Sequence, residues 1–237
     1  MKLIDYINEG NQYWDRDGLF KGNNLDSYPS TNNGVQLTGL YYLLLLIFTK
    51  NPKVFKEEFK DRLLPHQHEL FPGLFHERKG TDGGISYDDL ISLSTAAGIY
   101  CPEIAFNILM YGMKHGFKYD NLNAGNPKFR TDVSRFLVTP FLFLNAGMKP
   151  SVLDKFLITL LILGKLLLSR GTSGKQNILI LTFGIRVRPQ LSAYLNFLVW
   201  IFDRYVDPVK LMKTYHGENH LFTRTIQHLK QLKYKIN

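Results

Sequence analysis

The apolar positions of this chain come in long, mostly leucine-rich runs, with little of the strict alternation that marks a half-buried strand. The runs predict helices, and their punctuation is regular. "VQLTGLYYLLLLIFTK" stops at Asn51-Pro52 and "KVFKEEFKDRLL" follows at once. "SYDDLISLSTAAGIY" stops at Cys101-Pro102 before "EIAFNILMYGMKHG", and "RTDVSRFLVTPFLFLNAG" stops near Lys149-Pro150 before "SVLDKFLITLLILGKLLLSRG". Proline disfavours helix in the residue before it and suits the first turn of the next one. Each X-Pro step therefore predicts a tight helix–helix corner.

These prolines stand 50 and 48 residues apart, and longer polar segments at 10–33, 63–86 and 116–129 separate the pairs. Short and long connections alternate, as they do in a row of antiparallel helix hairpins, so the tight corners fall at one end and the long loops at the other. Any site is expected at the long-loop end. After residue 170 the pattern loosens. "SGKQNILILTFGIRV" reads as a helix or, from its β-branched centre, a strand; "PQLSAYLNFLVWIFDRYV" reads as a buried helix; "PVKLMKTYH" and the basic amphipathic "FTRTIQHLKQLKY" are shorter helices. The expected fold is all-α: one domain over 1–237, built of antiparallel helix hairpins in the manner of an incomplete α/α toroid.

Composition agrees with a packed domain, at 45% hydrophobic and 14% aromatic residues. Cys101 is the one cysteine, so the chain forms no internal disulfide and no cysteine-based metal site. The stretch "MKLIDYINEGNQYWDRDG" has no apolar leader core, and no signal peptide is expected. The most apolar runs, at 156–168 and 191–202, are too short to span a bilayer, and 156–168 reads as a buried core helix. Charge divides the chain. Residues 1–150 hold 16 basic and 16 acidic residues, whereas 151–237 hold 13 basic and 4 acidic, so the whole net charge of +9 lies in the last third. That asymmetry points to an acidic or polyanionic partner for 151–237, or to a basic surface that only aids solubility.

Candidate chemistry sits mainly in the loops. In "TDGGISYDDL", Ser86 and Asp89 have the spacing of a capping box, and Asp88 and Asp89 in a first helical turn interact favourably with the helix dipole. The preceding "LPHQHELFPGLFHERKGTDGG" holds three of the seven histidines, His66, His68 and His76, but matches no metal-ligand spacing, and no metal or other cofactor is assigned. "DRDG" at Asp15 fails as a calcium loop because Phe20 stands where the loop needs glycine. "YHGENH" at 215–220 puts Glu218 one place late for a zinc protease, and "GTSGKQ" at 171–176 lacks a phosphate loop's upstream glycine and terminal Ser or Thr.

"DGGISYDDLISLSTAAG", "YGMKHGFKYDN" and "TSGKQNILIL" resemble segments of uncharacterised helical proteins of tailed bacteriophages, over about a quarter of the chain. The resemblance implies a viral origin and a place in the virion or host cytoplasm, with other virion proteins as partners; it carries over no catalytic residue. Docking through the basic third would then use Arg186, Arg188, Lys210, Lys213, Arg224 and Lys230, and nucleic acid is a second candidate partner. The helix-hairpin arrangement also resembles the α/α toroids of glycan-degrading enzymes. That likeness implies a cleft at the long-loop end with Asp26, Asp88 and Asp89 as candidate catalytic acids and Tyr28, His76, Tyr119 and Arg130 as substrate-positioning groups. Hydrolysis of this kind needs two carboxyls about 5 to 9.5 Å apart. Oligomeric state is not legible from the chain.

Overall fold

The protein is all-α. The computed structural model describes residues 1–22, 34–76, 85, 87–119, 132–168, 179–180, 182, 184, 200, 204 and 206–236. Nine α-helices are delimited among them: α1 (Leu3–Gly10), α2 (Gly34–Thr49), α3 (Lys56–Leu63), α4 (Tyr87–Tyr100), α5 (Pro102–Lys114), α6 (Asp132–Asn145), α7 (Val152–Leu168), α8 (Pro208–His216) and α9 (Leu221–Ile236). Leu179, Ile180, Thr182, Gly184, Trp200 and Arg204 are also helical, and apart from Val206 the rest of the two runs at 173–187 and 189–206 lies outside the described residues. The short α1 is absent from the hydropathy reading, because eight residues give too few turns for a periodic signal.

The proline corners differ in detail. Pro102 opens α5 directly, with Cys101 alone between it and the end of α4. Pro52 opens a 3-10 turn, Pro52–Phe55, that leads into α3, with the Asn51 side chain accepting the Lys53 N–H at 3.0 Å. Pro150 stands just ahead of α7, which Ser151 caps. The Ser151 Oγ accepts the Asp154 N–H at 3.1 Å while the Asp154 carboxylate accepts the Ser151 N–H at 2.8 Å, a capping box. Asp207 does similar work for α8, accepting the N–H groups of Val209 and Lys210.

Two helices make the centre. Every residue of α2 from Gly34 to Leu46 is buried, and so is every residue of α4 from Asp89 to Ala97. The buried polar side chains of α4 are hydrogen-bonded: Asp89 accepts from the Gln36 N–H, Ser92 donates to the Gln36 carbonyl, and Ser94 and Thr95 donate to the Ile91 carbonyl. The two helices cross closely. A Cβ on Gly39 would lie 2.4 Å from the Ser92 Oγ and 2.8 Å from the Ser92 carbonyl oxygen, so only glycine admits this approach. Around this pair, α4 also packs on α5 and α6, and α2 on α1 and α9. The C-terminal hairpin α8–α9 thereby returns to the start of the chain. The N-terminal ammonium of Met1 meets the His228 Nε2 at 3.0 Å, and Arg224 pairs with Glu9.

α7 departs from the sequence reading. Leu157 and Ile158 are buried, but Val152, Leu153, Phe156 and Leu160 are exposed. Its main neighbour among the delimited helices is α6, and its side chains at 161–162 and 165–168 lie outside the described residues. No helix among the described residues is long and apolar enough to cross a membrane.

Candidate docking surfaces

The basic hairpin is held from beneath by apolar and aromatic side chains. Leu211, Met212, Leu221, Phe222 and Ile226 are buried, and the Phe222 ring stacks on Phe20 with centroids 5.0 Å apart. Its cations stay at the surface: Lys210 and Arg224 are exposed, Lys213 and Lys230 partly so. Three of these four are matched by carboxylates: Lys213 pairs with Glu218, Arg224 with Glu9, and Lys230 with Asp207 at 3.0 Å. Lys210 forms no ion pair with a described residue. Arg186 and Arg188 lie outside the described residues.

At the long loops, Asp89 answers a structural need. Its carboxylate is fully buried and its Oδ1 accepts the backbone N–H of Gln36, in the first turn of α2, at 3.0 Å. The carboxylate therefore serves the N-terminus of a helix other than its own, where the dipole favours a negative charge. Asp88 belongs to the first turn of α4, but its side chain lies outside the described set, as do Asp26, Tyr28 and Arg130 in full. His76 is buried, its ring 5.1 Å from that of His68 and its N–H bonded to the His66 carbonyl at 2.8 Å. Tyr119 is buried too and donates its hydroxyl to the Ile108 carbonyl at 2.6 Å.

Cross-loop bonds tie these segments together. The Tyr119 carbonyl accepts the Ile85 N–H at 3.1 Å, joining the second long loop to the third. The His66 Nε2 lies 2.9 Å from the Asp17 carbonyl oxygen and so donates to it, joining the first to the second. Of the predicted site residues, Asp89, His76 and Tyr119 are thus each enclosed in packing. No group of three metal-ligating side chains is found among the described residues.

No family model, curated protein or solved structure matches this chain.

A groove of about 520 Å³ escaped the sequence reading. It runs between the loop residues Leu70, Phe71 and Pro72 and the outer face of α5 at Asn107, Met110, Tyr111, Met113, Lys114 and His115. Gly73 sets the loop in place. It adopts φ +92°, and a Cβ there would fall 2.1 Å from the Asn107 carbonyl oxygen, so the loop backbone rests directly on α5. One aromatic wall is formed by Phe71, Tyr111 and His115, with Tyr111 stacked on His115 at 4.4 Å and Phe71 5.8 Å from His115. The signal in the sequence was a second apolar row on α5. Phe106, Met110 and Met113 recur at helical spacing beside the buried Ile104, Ile108 and Leu109, and all three are about half exposed.

A second cluster joins the termini. His216 and His220 stack at 4.6 Å, and Tyr13 meets His220 edge-on at 4.8 Å. Burial, with the neighbouring His220, holds His216 well below the usual histidine pKa, and burial pushes His220 down to about 4. Both are neutral at pH 7. The His220 Nδ1 accepts the Phe222 N–H at 3.2 Å and so caps α9.

Proposed function

We propose that this chain is an interaction protein of a tailed-bacteriophage virion that docks an acidic partner through its basic C-terminal hairpin. The observation that carries the reading is the hairpin itself. Lys210, Lys213, Arg224 and Lys230 are presented at the surface of two helices whose other faces are anchored in the core. Surface ion pairs of the kind made with Glu218, Glu9 and Asp207 are worth about 0–1 kcal/mol each, so an incoming polyanion can exchange with them. The phage assignment rests on the short sequence resemblances. The glycan-cleaving reading stands second, since it needs a facing pair of carboxyls and Asp89 is committed to the N-terminus of α2.

The test is twofold. Purified particles are examined by mass spectrometry for this chain, and binding to virion proteins and to duplex DNA is measured against salt. Binding is expected to weaken as salt rises and to fall about tenfold or more in the triple variant Lys210→Glu, Lys213→Glu, Lys230→Glu. Absence from the particle together with no salt-sensitive partner overturns the proposal.

A further inference from the structure

The second surface is the groove on α5, which lies outside the basic hairpin and makes a different demand on its occupant. We infer that it docks a short amphipathic helical segment of a partner protein, bearing apolar anchors about one turn apart and at least one carboxylate.

Shape comes first. Met110 and Met113 of the lining form one exposed row with Phe106, which lies beyond the groove, so the apolar surface runs over two turns of α5, about 10 Å. A small solute would fill the groove and leave Phe106, a turn beyond it, in water. A helical segment, with anchors at three- and four-residue spacing, covers both. Methionines on one wall adapt to anchors of different outline, while the rings of Phe71, Tyr111 and His115 give the other wall a fixed shape.

Charge selects the sign of the occupant. The lining carries one fixed full charge, the Lys114 ammonium, and no carboxylate. Lys114 forms no ion pair with a described residue, and Lys118 follows it, exposed, at the same end. An apolar trough that ends at Lys114 and Lys118, neither of them ion-paired with a described residue, fits an acidic amphipathic helix. A second copy meeting it through the same face fits it poorly, because that face brings its own Lys114 and Lys118 and no carboxylate of the lining.

The experiment selects binders to the full chain from a displayed library of random 16-residue peptides, then measures the enriched peptides by fluorescence anisotropy. Enriched sequences are expected to carry Leu, Phe or Met three or four apart with an excess of Asp and Glu. Met110→Asp should weaken them about tenfold or more, the usual scale for a central anchor. Lys114→Glu should weaken them and reduce their salt dependence, and changing the matched peptide acid to Lys should restore binding to that variant. Both side chains are surface groups, and an unchanged thermal melt shows that each variant is folded. Lys210→Glu should leave peptide binding unaltered, which separates this site from the basic hairpin. The inference is overturned if no peptide is enriched, if the enriched peptides show no acidic excess, or if they ignore both substitutions. It is also overturned if sedimentation shows a dimer that Met110→Asp dissolves, since the occupant is then a second copy.

Discussion

At Asp89 a carboxylate with no exposed surface meets the N–H of Gln36 from another helix. A buried acceptor of this kind matters chiefly for what its loss leaves behind, an N–H with neither protein nor water to receive it. Asp89→Ala should therefore cost about 1–3 kcal/mol of unfolding free energy, and Asp89→Asn, which keeps an oxygen at the site, should cost less. Urea denaturation of the three proteins side by side checks the order; equal midpoints would mean that the bond contributes nothing. The sequence placed Asp89 correctly in a first turn, since the cap signals of α4 are local. It did not reveal that the carboxylate serves α2, because that partner lies in a distant helix and leaves no mark on the residues around Asp89.

Among the elements, glycine decides how closely helices meet. At Gly39 the α2–α4 crossing has no room for a methyl group, with Ser92 side chain and backbone both in the way. Gly164 in α7 has nothing within 4 Å of the same position. Gly39→Ala should destabilise the protein by about 1–3 kcal/mol through overpacking. Gly164→Ala should stabilise it by up to about 1 kcal/mol, since alanine is the better helix former and meets no obstacle. Thermal melts of the two variants should move in opposite directions. Helix existence and the proline corners were legible because hydropathy runs and X-Pro steps are local facts. Which face of each helix is covered was not. α2 and α7 are both rich in leucine, yet α2 is enclosed and α7 keeps Val152 and Phe156 in water. Neighbour number is a property of the assembled array rather than of either run.

The molecule as a whole is closed by its ends, and that closure is sensitive to acid. His216 and His220 are neutral in the folded state because burial disfavours their charged forms. In the unfolded chain they titrate near the ordinary value of about 6.5. Between that pH and about 4, the folded pKa of His220, the unfolded state binds more protons, so stability rises with pH and falls as acid is added. Each such histidine contributes a slope of up to about 1.4 kcal/mol per pH unit across the window. His220→Asn preserves a capping oxygen for α9 while removing one titrating group, and should flatten the slope. Denaturant unfolding at a series of pH values reads this directly, and an unchanged slope in the variant would remove His220 from the account. In the sequence these histidines were only a failed zinc motif. Their ring stack, with Tyr13 from the opposite end of the chain, exists only once α9 has returned to α1.

The matched charges on the C-terminal hairpin bear on how fast a partner arrives. Beyond a Debye length, about 8 Å in physiological salt, a lysine beside a carboxylate is felt as a weak dipole rather than as a cation. Lys213, Arg224 and Lys230 are therefore muted at a distance, and among the described side chains of the hairpin Lys210 is the cation that an approaching polyanion senses first. These three pairs should therefore add little to electrostatic steering. The other cations come into play only after contact, when the partner's acids displace Glu218, Glu9 and Asp207, so their contribution shows in how slowly the complex comes apart.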